Sequence, residues 1–176
     1  MANTDSPKGF RPLEEGPLFP VSIDASNGTT IGKGDPLEME ADGGYGRAEA
    51  GDAALVKYIA WGFKDSDGNS ISYLPASTAG TVTAIPVTPG RKFIVQSDTG
   101  TNVAATAVNA TADFVVANCS TTSGVSQVEL DASDIGTGTQ LRILGKLEEP
   151  NNSFGEAHVD LIVEFSENAT TSSTSV

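Results

Sequence analysis

The chain reads as a succession of short alternating segments separated by turn residues. Over 91–98, Phe93, Val95 and Ser97 fall on one side and Lys92, Ile94 and Gln96 on the other. Asp98-Thr99-Gly100 then supplies a turn in which glycine takes a positive φ. The same reading predicts strands over 21–24, 35–40, 55–63, 81–87 and 114–116, and three clear ones over 127–131, 141–147 and 158–165. In 35–40 the alternation places Leu37 and Met39 inward and the glutamates outward. The 55–63 run is apolar on both faces, which predicts a central strand and a buried Trp61. Pro86 confines the 81–87 strand to an edge or a bulge. Residues 101–112 are weakly patterned and fit a single helical turn or a long loop.

The two ends differ from this pattern. Pro7, Pro12, Pro17 and Pro20, with Gly9 and Gly16, exclude a helix from residues 1–20 and work against regular strand pairing. The segment nevertheless carries Phe10, Leu13, Leu18 and Phe19, so it reads as an extended arm made to lie on another surface; folding back over its own domain is the alternative. The expected organisation is an arm (1–20), a β domain (21–167) and a disordered Ser/Thr-rich tail (168–176). Fold class is mainly β: a compact antiparallel barrel or a two-sheet sandwich, with the barrel favoured because closure removes strand edges.

Composition narrows the function classes. Glycine (19 residues) and abundant Thr, Ser and Asn fit a turn-rich β protein. A net charge of −13 argues against nucleic acid and against an anionic membrane as partner. The first eight residues hold no apolar run of a signal peptide, and no segment reaches the ~20 apolar residues of a spanning helix. The expectation is a protein made in a cytoplasm and kept there until it meets its partner.

The inventory of catalytic residue types is thin. His158 is the one histidine, and alternation puts it on the outer face of the last strand. Cys119 has no basic neighbour in sequence to lower its pKa. Asp65-Ser66-Asp67-Gly68-Asn69 has the oxygen spacing of a calcium loop, but Ser70 and Ala76 stand where glycine and a bidentate acid belong, so it reads as an Asp-Gly hairpin turn. No catalytic residue, cofactor or metal ligand is assigned from sequence.

Several segments in order resemble the head decoration (cement) proteins of tailed bacteriophages. These are Ser6-Pro7-Lys8-Gly9-Phe10-Arg11-Pro12-Leu13, Gly34-Asp35-Pro36-Leu37, Phe93-Ile94-Val95-Gln96, Ser123–Asp131, and Asn152-Ser153-Phe154-Gly155 with the strand after it. The closing strand of that family often ends in His, whereas Glu167-Asn168 follow here. The resemblance implies a structural virion protein without enzymatic activity. Such a protein binds the major capsid protein on the outer head surface, forms a homotrimer and stabilises the head against internal DNA pressure. It also implies an anchoring role for Phe10, Arg11, Pro12, Leu13, Leu18 and Phe19 in the arm. A tail or surface adhesin module that binds host glycans through Trp61 is the competing expectation.

Overall fold

The computed structural model describes residues 3–51, 55–98 and 101–166. The predicted tail and the Thr99-Gly100 turn lie outside the described residues. Among the described residues thirteen strands run in chain order as β1 (Arg11–Pro12), β2 (Phe19–Ile23), β3 (Pro36–Met39), β4 (Tyr45–Arg47), β5 (Val56–Asp65), β6 (Ser70–Ile71), β7 (Gly80–Pro86), β8 (Lys92–Gln96), β9 (Thr111–Ala112), β10 (Phe114–Val115), β11 (Glu129–Leu130), β12 (Leu141–Lys146) and β13 (Asp160–Phe165). The weakly patterned 101–112 stretch supplies a single 3₁₀ turn, Ala105–Ala107, and then β9.

The strands form two main antiparallel sheets and a small β10–β11 pair. One sheet runs β1-β8-β13-β12-β9 and the other β2-β7-β5-β3-β4, with β6 paired to β5. The main core lies between them, where Val56, Ile59 and Ile85 of the second sheet meet Phe93, Val95, Leu141, Ile143, Leu161 and Val163 of the first. The second sheet curls until β2 comes near β4 and encloses its own cluster of Val21, Ile23, Leu37, Ala60, Phe63 and Val82, roofed by Ile31 and Leu74. Its strand order stays open, so the favoured barrel is corrected to a sandwich with one curled layer.

The period-2 reading holds along β13, where Leu161, Val163 and Phe165 are buried, as is Val159 just before it. Elsewhere bulges shift the phase. The β3–β5 register slips between Leu37 and Glu38, so Glu38 turns inward and Met39 is 48% exposed, reversing their expected faces. A second slip between Ala60 and Gly62 in β5 sets Trp61 apart from Ile59 and Phe63 and leaves it half-buried. As the central strand, β5 feeds both cores: Val56 and Ile59 one, Ala60 and Phe63 the other. β7 is an inner strand, and Pro86 ends it two residues beyond the last pair with β2, opposite Tyr58, where only β5 still pairs and the missing N–H costs no bond to β2.

Residues 3–13 are not a free arm. Phe10 is fully buried at the centre of an aromatic cluster, 4.9 Å from Phe165, 5.7 Å from Phe114 and 6.4 Å from Phe93 between ring centroids. Its N–H donates to the Gly34 carbonyl (2.9 Å), and β1 closes an edge of the first sheet by pairing with β8. Gly9 permits this crossing. Its φ is +62°, and a Cβ there would sit 2.5 Å from Ser126 Cβ and 2.6 Å from the Gly34 oxygen. The boundary expected at residue 20 also cuts β2. The N-terminal segment therefore laces the two sheets, as an edge of one at β1 and of the other at β2.

Asp35 ties the layers at the same point. Its buried carboxylate accepts hydrogen bonds from the Gly32 N–H (2.7 Å) and the Ser126 hydroxyl, and Ser126 Oγ in turn accepts from the Val128 N–H (3.1 Å). Burial pushes the Asp35 carboxyl up to about 6, against the opposing pull of these donors and the Arg47 charge.

Candidate functional site

The six residues implicated by the sequence separate into two groups. Phe10 belongs to the core, where burying a large aromatic ring outweighs any use of it on another surface. Arg11 forms an ion pair with Asp160 on β13 (2.9 Å), Pro12 lies in β1, and the half-buried Leu13 donates its N–H to the Lys92 carbonyl (3.1 Å). These four hold the chain to itself. Leu18 and Phe19 remain outward, 48% and 45% exposed.

Geometry explains the split. From Glu14 to Pro20 every residue is exposed, because the chain is crossing from β1 in one sheet to β2 in the other. Pro17 and Pro20 keep this crossing extended. Under it runs a groove of about 250 Å³ with Pro12, Leu18, Trp61 and Ile85 as apolar walls and Glu15 and Arg91 at its polar end. Gly16 lies flat on the Arg91 guanidinium, where a Cβ would come 2.5 Å from Nη2. Burial draws the Arg91 pKa down while the Glu14 charge opposes it, and Arg91 Nη1 donates to the Pro86 carbonyl (3.4 Å). The face of Trp61 is occupied by Lys33, whose Nζ stands 4.0 Å from the ring centroid.

The remaining candidates take other roles. Asp65 uses its carboxylate to accept the N–H groups of Asp67 (3.0 Å) and Asn69 (2.8 Å), closing the β5–β6 hairpin as the Asp-Gly reading predicts. Cys119 is buried, which pushes its thiol pKa up rather than down. Asp24, Glu40 and Asp42 lie close together but are solvated, with Asp24 accepting from Ser26.

One grouping had no signal in the sequence. His158 precedes β13 instead of lying within it, has φ of +55°, and its side chain is 16% exposed, so the outward placement is corrected. It faces Asp5 and Glu129 from separate parts of the chain. Burial, with the Asp5 and Asp98 charges, pushes the Glu129 carboxyl up to about 7. Residues 5, 129 and 158 share no motif, and only the lacing of the N-terminal segment brings Asp5 there.

Against known protein families, curated proteins and solved structures, the chain matches none.

Proposed function

We propose that this protein is a structural component of a tailed-bacteriophage head, a decoration protein that sits on the outer capsid surface and reinforces the shell. The observation that carries the reading is the exposed pair Leu18 and Phe19, held on a proline-stiffened crossing at the open edge of β2 and beside an apolar groove. An unpaired strand edge flanked by apolar side chains is suited to lying against a neighbouring subunit. The sequence resemblance names that neighbour as the major capsid protein. A strongly acidic exterior is compatible with this role, since it keeps finished particles apart.

Magnitudes favour an array over a single contact. Two half-exposed apolar side chains contribute together roughly 1.5–3 kcal/mol on burial, too little for a stable one-to-one complex. Repetition around a symmetric capsid site converts such terms into avidity, which supports a self-associating, trimeric form. The glycan-binding alternative draws less support, because Lys33 covers the Trp61 face that a sugar would stack on. The test is cosedimentation of the purified chain with undecorated heads. Saturation at a fixed copy number per capsomer supports the reading, and absence of binding sinks it.

A further inference from the structure

The geometry points to a divalent-cation site of zinc-type chemistry formed by Asp5, Glu129 and His158. Each residue offers one ligand atom, and the three atoms lie within 4.8 Å of one another. One imidazole nitrogen and two carboxylate oxygens form a common donor set for a first-row divalent metal, with a fourth position left for water.

Two observations separate this cluster from ordinary surface acids. First, Glu129 Oε1 and His158 Nδ1 are both wholly removed from solvent and have no hydrogen-bond partner. Buried polar atoms without partners are rare and costly, so one on each of two residues of the same cluster favours a ligand there. Second, the His158 Nδ1 to Asp5 Oδ1 separation is 3.8 Å. That is too long for a hydrogen bond, yet close to the ~3.4 Å that separates neighbouring ligand atoms around a tetrahedral zinc with bonds of about 2.1 Å. Binding would draw the set, now within 4.8 Å, inward onto the ion.

The supporting shell is already built. Asp5 is bracketed by bonds on either side: Gln96 Nε2 donates to the Thr4 carbonyl (3.1 Å), and Gln96 Oε1 accepts from the Ser6 N–H (2.8 Å). Asn3 anchors the same segment to the loop before His158 by donating to the Ala157 carbonyl (2.9 Å). Beyond His158, the Val159 N–H donates to Ser97 Oγ (2.9 Å). Glu129 sits in β11. Asp5, 57% exposed, leaves an entry path from solvent. A bound ion would clip the N-terminal segment onto the β domain, a consequence independent of what the Leu18 crossing binds.

The experiment uses the full chain, stripped with chelator and titrated with zinc chloride by calorimetry and thermal melting. The expected result is one zinc per chain, a raised melting temperature reversed by chelator, and a dissociation constant weakened roughly tenfold or more in His158→Asn and in Asp5→Asn. Asparagine is chosen at 158 because it tolerates the positive φ, and circular dichroism checks the fold. Asp42→Asn, in the solvated acidic cluster, should leave binding unchanged. Absence of stoichiometric zinc binding, binding untouched by both ligand variants, or binding lost equally in Asp42→Asn overturns the proposal.

Discussion

The Ser126 hydroxyl donates to the Asp35 carboxylate across 91 positions of sequence, in a fully buried pocket where the second sheet meets the segment leading to β11. The link stabilises the fold only in so far as the carboxyl tolerates burial, and that makes stability pH-dependent. The folded pKa of about 6 lies above the usual 3.8, so the folded chain holds a proton that the unfolded chain releases. The Asp35 contribution is therefore full below about pH 4 and is lost as pH rises through 6. The Asp35 share of the loss is at most about 3 kcal/mol. Urea unfolding at pH 4 and pH 7 measures it. Asp35→Asn, which retains an oxygen for the Gly32 N–H, should flatten that share of the profile. Glu129 acts in the same sense, while the lowered Asp24 and Asp65 oppose it only at lower pH.

Phe10 touches three other phenylalanines from the N-terminal segment. Phe10→Ala should destabilise the protein by about 3–5 kcal/mol, against about 1 kcal/mol or less for an exposed arm residue. Equilibrium denaturation distinguishes the two, and a small loss would mean that the segment is detachable.

Gly9→Ala tests the crossing itself. The positive φ and the near contacts with Ser126 and the Gly34 carbonyl predict a loss of roughly 1–3 kcal/mol. Gly68, also at positive φ but with nothing within 4 Å of a built Cβ, should cost less when changed to Ala, since only its backbone is strained.

These positions show what the sequence made legible. Alternation identified the buried faces of β11 and β13, where a period of two survives; in β8 it grouped Phe93 with Val95 correctly, but Ile94 and Gln96 on the opposite face are buried as well. It failed at Met39 and Trp61, where an extra residue in the register turns the next side chain over. It failed more widely over 1–20. A two-residue strand such as β1 has no period to detect, and Phe10 is buried only because Arg11 pairs with Ile94 far along the chain. The Asp5, Glu129 and His158 grouping depends on that same lacing. Leu18 and Phe19 were legible as apolar residues in a proline-rich segment, and they alone of the six implicated residues are left substantially exposed.

Self-association follows from the proposed place in a symmetric shell. Light scattering should give a mass three times that of the 18.1 kDa chain, either free in solution or when released from particles. A monomer in both states would remove the avidity on which binding depends.

The central claim is that the protein works by occupying a site on a shell through its outward crossing. Binding isotherms on undecorated heads test it most directly, comparing the native chain with Leu18→Ser/Phe19→Ser. Both side chains are surface residues, so the variant should keep its stability to within about 0.5 kcal/mol. The account predicts saturable binding by the native chain, weakened at least about tenfold in the variant. Equal affinity of the two proteins, or no binding by the native chain, would contradict it.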